Sequence, residues 1–162
     1  MKRKLFTLLF FIIYIFMIAF FIYKCLETGT TSSASSDKVA DVVAGVTEEI
    51  THKPVVVDDN YKTMIRKLIG HFGYFMAMGT VSIIFYLLLE IKKYNWIKII
   101  FHYVIGIGLA FISEFVLEAN TEGRGASIKD VGIDSGGFVL LSTIILLVYL
   151  FIKYKKSKLN NN

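Results

Sequence analysis

Eight polar residues could form a binding or catalytic site, provided that the fold brings them together. They are Lys67, His71, Tyr74, Glu114, Arg124, Ser127, Asp130 and Asp134. Lysine and arginine form charge-assisted hydrogen bonds to phosphate or carboxylate groups, and tyrosine adds a neutral donor. A histidine beside a carboxylate can serve as an acid and base pair. The residue types therefore favour either an anion-binding pocket or an acid and base site.

Helical spacing predicts which of these side chains meet. Lys67, His71 and Tyr74 share one face of a helix, and Asp130 and Asp134 lie one turn apart on another.

The segment between Glu114 and Asp134 carries turn and capping signals. Gly123 and Gly125 flank Arg124 and permit an unusual backbone path. Ser127 followed three residues later by Asp130 is a helix capping pattern, which predicts that the last helix begins there. Arg124 could either bind a ligand or pair with Glu114 or Asp130 and hold this segment on the bundle.

The elements that position these residues are apolar helices. The chain of 162 residues is 55% hydrophobic and 15% aromatic, and its mean hydropathy is +0.60. Apolar runs at 5–23, 72–89, 97–117 and 132–152 are each able to cross about 30 Å of hydrocarbon. We therefore expect an all-α integral membrane protein, a bundle of four transmembrane helices with a long extracytoplasmic linker between helices 1 and 2.

The first apolar run follows the basic residues Lys2, Arg3 and Lys4, as a secretory signal would. It is longer than the roughly 7 to 15 apolar residues of a signal, and no small-x-small cleavage site follows. Lys24 before Cys25 does not fit a lipoprotein site. We expect a retained transmembrane helix.

The linker at 25–63 is polar and contains a Thr and Ser tract at 30–36 that we expect to be disordered. Valine and isoleucine at helical spacing within 37–51 allow an amphipathic helix on the membrane surface or on the bundle. A weakly ordered loop explains this pattern equally well.

Lysine and arginine clusters set the orientation, because basic residues near short loops remain in the cytoplasm. If all four helices span, the clusters fall on one side: Lys2, Arg3, Lys4, Lys92, Lys93, Lys98, Lys153, Lys155, Lys156 and Lys158. Both termini are then cytoplasmic. The expected organisation is a first helix at 1–24, the linker at 25–63, a three-helix core at 64–153 and a basic cytoplasmic tail at 154–162.

Small residues spaced four apart predict close packing of the helices in lipid. The pairs are Gly73 and Ala77, Gly106 and Ala110, and Gly132 and Gly136.

Several functions are disfavoured. The net charge of +5 comes from clusters beside the apolar runs and not from a basic stripe, so we expect no nucleic acid partner. Cys25 is the only cysteine, and no His-Glu-x-x-His motif occurs, so we expect no metal site and no cofactor. His102 is interpreted as a histidine that lies at the membrane interface or bonds to a helix, and not as a ligand.

The polar residues also carry a family resemblance over 66–149. One helix starts with Arg66-Lys67, His71 and Tyr74, and another ends with Ser113-Glu114. The segment after that end contains Gly123-Arg124, Ser127, Asp130-Val131 and Gly137. In these features the chain resembles the VanZ-like family of small bacterial membrane proteins, named for a protein associated with teicoplanin resistance. The resemblance implies a cell-envelope role that lowers sensitivity to glycopeptide or lipoglycopeptide antibiotics. Leu117 and Asp134 depart from the family pattern, where glutamine and asparagine are usual.

Three hypotheses remain open. The first is a non-enzymatic envelope protein whose outward-facing pocket binds a membrane lipid, a lipid-linked cell-wall precursor or the antibiotic. The second is a hydrolase or transferase for a lipid-linked substrate, with His71 and Glu114 as acid and base; no nucleophile with a neighbouring base supports it. The third is a scaffold for another membrane protein.

Overall fold

The computed structural model describes residues 2–89 and 95–160, and all regular structure within these ranges is helical. The α-helices are α1 (Lys2–Cys25), α2 (Gly29–Thr51), α3 (Asp59–Ile65), α4 (Tyr74–Leu88), α5 (Asn95–Ile112) and α6 (Ile128–Leu159). A first π segment (Arg66–Gly73) joins α3 to α4 without a break. A second π segment (Ser113–Leu117) and a 3-10 turn (Glu118–Asn120) extend α5.

Four helical stretches are long and apolar enough to cross a membrane. They are Lys2–Cys25, Asp59–Leu88, Trp96–Asn120 and Ile128–Leu159. Bulky apolar side chains stay exposed along them, including Phe16 at 68% and Ile152 at 60%. Apolar surface of this extent is suited to contact with lipid tails. The predicted all-helical architecture with four such helices is confirmed.

Helix α2 differs from the expectation for the linker. It begins at Gly29, with the Thr28 side chain as its cap, and therefore includes the Thr and Ser tract at 30–36 that was expected to be disordered. Ala40 and Ala44 are buried where α2 packs on α3 and the first π segment. Lys62 on α3 also pairs with Asp37, at 3.1 Å. These tertiary contacts explain the order, because they supply the burial that the tract itself lacks.

The apolar helices pack through two close backbone approaches to α6, one from α4 and one from the first π segment. A Cβ atom on Gly79 would lie 2.5 Å from the carbonyl oxygen of Phe138, and one on Gly137 would overlap the carbonyl of Phe72. The Phe138 ring fills the space above Gly106 on α5. Only glycine at these positions lets the helices come this close.

The predicted small-residue pairs are therefore only partly correct. Gly106 and the fully buried Ala110 do lie in the packed core. Gly132 and Gly136 have open space where a Cβ would be, so they do not mark a helix contact. Sequence spacing alone could not distinguish Gly136 from its neighbour Gly137, which lies against the backbone of Phe72 in the first π segment.

The helices alternate in direction, so both ends of the described chain lie at one end of the bundle. Arg3 Nε donates to the carbonyl of Leu88 at 3.3 Å, and Lys98 Nζ donates to that of Leu89 at 2.7 Å. At the opposite end, which we call the linker end, α1 finishes and α6 starts. Lys92 and Lys93 lie outside the described residues, and α6 continues as a helix through the basic tail to Leu159.

Candidate polar site at the linker end

Two interruptions of regular α-helix position the polar residues. His71 lies in the first π segment and Glu114 in the second. A π turn inserts an extra residue and rotates the side chains that follow it, and such turns are frequent at functional sites. Both interruptions occur at the linker end, where they direct His71 and Glu114 toward the start of α6.

Lys67 and His71 face two acidic residues one turn apart on α6. Lys67 Nζ lies 2.8 Å from Asp130 Oδ1, and His71 Nδ1 lies 3.1 Å from Asp134 Oδ1. Asp134 is fully buried and His71 is 8% exposed. Lys67 and His71 therefore contact Asp130 and Asp134 across the two helices.

Glu114 joins the same cluster from α5. Its Oε2 accepts a hydrogen bond from the backbone N–H of Ser127 at 3.0 Å, while Oε1 is buried without a hydrogen-bond partner among the described residues. The Ser127 side chain accepts from the backbone N–H of Asp130 at 3.2 Å, and α6 begins directly after it. The predicted helix cap at Ser127 is confirmed.

Arg124 has a structural partner that was not expected. Its guanidinium pairs with Glu118, not with Glu114 or Asp130, and donates to the carbonyl of Lys24 at 3.0 Å. The backbone at Gly123 takes a positive φ of 72°, as the flanking glycines predicted. Arg124 thus fastens the loop before α6 to the end of α1.

Tyr74 lies away from the contacts with α6. Its hydroxyl donates to the carbonyl of Met17 on α1 at 2.6 Å. The shared face predicted for Tyr74 and His71 assumed regular α-helix, and the first π segment changes that register. Tyr74 nevertheless lines a crevice together with His71.

This crevice, of about 270 Å³, lies between α1, α2 and the first π segment. Its walls include the apolar side chains of Phe20, Phe21 and Val39. Three basic side chains and one acidic side chain also line it: Lys24, Arg66, Arg124 and Glu118. A second, more polar cavity of about 170 Å³ adjoins it and shares Arg66, His71 and Arg124. The crevice thus combines an apolar wall with more basic than acidic side chains, whereas the second cavity has two arginines and two acids.

Arg66 is the basic residue least committed to the fold. Lys24 pairs with Glu27 at 2.6 Å, and Arg124 pairs with Glu118. Arg66 lines both cavities, forms no ion pair among the described residues, and has a buried Nε without a hydrogen-bond partner. Its guanidinium is therefore available for an anionic group.

Two residues of the site, Arg66 and Glu118, were missed as candidates from the sequence. Glu118 follows Glu114 by four residues and shares its helical face, a spacing that could have identified it. Arg66 precedes Lys67 directly, and helical periodicity favoured Lys67 because His71 lies one turn beyond it. The α2 contribution, Ser32 and Val39, could not be found once 30–36 was expected to be disordered.

His102 lies apart from the cluster, as expected. It is fully buried, and its Nδ1 lies 2.9 Å from the Ser82 hydroxyl on α4. It therefore bonds to a neighbouring helix.

Comparison of the chain with protein-family models, with curated proteins and with solved structures finds no match.

Proposed function

We propose that this chain is a VanZ-like protein of the bacterial plasma membrane, with both termini in the cytoplasm and the linker end facing outward. In this proposal the crevice binds the anionic headgroup of a membrane lipid or a lipid-linked cell-wall precursor. Binding there lowers sensitivity to glycopeptide and lipoglycopeptide antibiotics.

The single observation that carries the proposal is Arg66 in an apolar crevice. Its guanidinium has no ion-pair partner among the described residues, although it lies beside Phe20, Phe21 and Val39. A ligand that suits both features has a phosphate or carboxylate joined to an apolar chain. Arginine binds such groups through two parallel hydrogen bonds. The volume of about 270 Å³ suits a headgroup and the first part of a chain, with the remainder lying in the bilayer.

The residues of the family resemblance also support the proposal by their position. His71 and Arg124 line the crevice, and Glu114, Ser127 and Asp130 hold the adjoining loop and the start of α6. The residues that carry the resemblance and the crevice thus lie at the same end of the bundle. The acid and base alternative shares His71 and Glu114, but among the described residues no serine or cysteine side chain is hydrogen-bonded to either of them.

Antibiotic susceptibility tests the proposal in cells. The chain is expressed in a teicoplanin-sensitive Gram-positive host, and the minimal inhibitory concentration of teicoplanin is measured. The wild-type chain should raise it, and Arg66→Gln should return it to the value of the host alone at an equal amount of membrane protein. Lys53→Gln, which removes an exposed charge from the linker, is the matched control and should behave as wild type.

Arg66 is a better test than Arg124. Arg124→Ala would leave Glu118 buried without its partner and release the loop from α1, so a loss of function could reflect misfolding. If Arg66→Gln retains full resistance, the crevice is not the binding site.

A further inference from the structure

His71, Glu114 and Asp134 form a compact group with the donor atoms of a metal site. Each residue offers one ligand atom, and these atoms lie within 4.8 Å of one another. The residues come from the first π segment, the second π segment and α6, so no local motif in the sequence reveals the group. It differs from the expectation that the chain has no metal site.

Burial without partners is the second observation. Glu114 is 1% exposed and Asp134 is fully buried. Glu114 Oε1 and Asp134 Oδ2 are each buried without a hydrogen-bond partner among the described residues. Buried polar atoms are nearly always paired, and an unpaired carboxylate oxygen costs free energy, so these two oxygens call for a ligand.

The charges around the group point to a divalent cation. Of the four acids gathered at the start of α6, Asp130 is balanced by Lys67, and Glu118 by Arg124. Glu114 has no ion-pair partner among the described residues, and the only one for Asp134 there is the His71 imidazole, 3.1 Å away, in a segment suited to lipid. A charge of two brought by one ion balances both carboxylates, which otherwise require protons to be stable in such surroundings.

We infer that His71, Glu114 and Asp134 bind one divalent transition-metal ion at the linker end. One imidazole nitrogen and two carboxylate oxygens form a donor set that suits zinc or manganese, whereas magnesium and calcium prefer oxygen alone. The Ser127 N–H bonded to Glu114 Oε2 fixes that carboxylate from outside the group. The inference does not depend on the headgroup proposal, since none of its ligands is Arg66.

Metal binding by the purified full-length chain tests the inference. The protein is prepared in detergent with an affinity tag that lacks histidine, stripped with a chelator, and titrated with Zn²⁺ alone and with Mn²⁺ alone. Wild type should bind one equivalent of at least one of the two ions. His71→Gln and Asp134→Asn should each weaken that binding by about 100-fold or more, since the loss of a supporting outer residue alone typically gives about 10 to 100-fold.

The controls distinguish the site from weaker surface binding. His52→Asn removes an exposed histidine and suits the left-handed backbone there, φ 56°, so it should bind as wild type does. A wild-type chain that binds neither ion overturns the inference whatever the variants do, which keeps the test independent of their folding. Equal binding by wild type and Asp134→Asn also overturns it and leaves protonation as the means by which the two carboxylates are neutralised.

Discussion

At the scale of single residues, the linker end is organised by pairs of opposite charge. The Arg124 and Glu118 side chains are 13% and 8% exposed, and Arg124 also reaches the backbone at the end of α1. Removing one member of such a buried pair costs more free energy than the pair contributes to stability, because the other charge is left buried without a partner or water. The pair therefore holds the loop in place and leaves Arg66 as the basic group that can accept a ligand.

Removing one member of this pair should destabilise the bundle strongly. We expect Glu118→Ala to lower the free energy of unfolding by about 3–5 kcal/mol, since Arg124 then lies buried without a counter-charge. Thermal unfolding in detergent measures this as a lower midpoint. Glu122→Ala, in the exposed part of the same loop, is the control. The double variant Glu118→Ala/Arg124→Ala should lose less than the sum of the single variants, and additive losses would show that the two residues act independently.

At the scale of elements, the close approach of α4 to α6 places Asp134 opposite His71. Gly79 and Gly137 lie at the two backbone contacts, and Phe138 packs between them and α5. The first π segment carries His71 and continues directly into α4. Any separation of α4 from α6 therefore also separates His71 from Asp134. The site thus depends on packing beside it, because Phe72 follows His71 directly and Phe138 lies about one turn beyond Asp134.

A methyl group at Gly79 should disturb this packing. We expect Gly79→Ala to lower the free energy of unfolding by about 1–3 kcal/mol, as overpacking of a filled core usually does. Gly136→Ala is the matched control, because its added Cβ would meet nothing within 4 Å and alanine favours helix. Equal stability of the two variants in thermal unfolding would mean that the α4 and α6 contact is looser than described.

The sequence predicts these elements unevenly. The four apolar helices and the cap at Ser127 were predicted from local signals, namely long apolar runs and the Ser-x-x-Asp spacing. For α2, a helix over 37–51 was one of two alternatives, but order at 30–36 was not predicted, because it depends on tertiary packing that composition does not report. The π segments were also missed, since helical periodicity assumes a constant register. The Tyr74 hydroxyl bonds to α1 and not to α6, although Tyr74 and His71 line the same crevice. The same assumption drew attention to Lys67, whereas Arg66 is the residue without an ion pair among the described residues.

At the scale of the whole molecule, the polar residues are distributed unevenly between the two ends of the helix bundle. The linker end carries the polar site and α2, and the opposite end carries the basic residues of α1 and α6. The positive-inside rule predicts that the basic end is cytoplasmic, and in the proposed orientation the crevice opens toward the cell exterior. A protein with this orientation meets lipids and precursors of the outer leaflet.

Cysteine labelling should reveal this orientation. Cys25 is only 1% exposed, so the wild-type chain should react little with a membrane-impermeant maleimide and serves as the blank. In intact cells Lys53→Cys should label, whereas Lys156→Cys should label only after lysis. Both positions are exposed in the structure. The reverse pattern would place the crevice in the cytoplasm.

The central claim is that Arg66 in the crevice binds the anionic headgroup of an amphiphile, and farnesyl phosphate tests it most directly. Its binding to the purified chain is compared with that of farnesol, which has the same apolar chain and no phosphate. Wild type should bind farnesyl phosphate at least about tenfold more tightly than farnesol, and Arg66→Gln should remove that difference, since a charged hydrogen bond contributes about 1.5–3 kcal/mol. Equal affinity of wild type for the two compounds, or an Arg66→Gln variant that still prefers the phosphate, would contradict the claim.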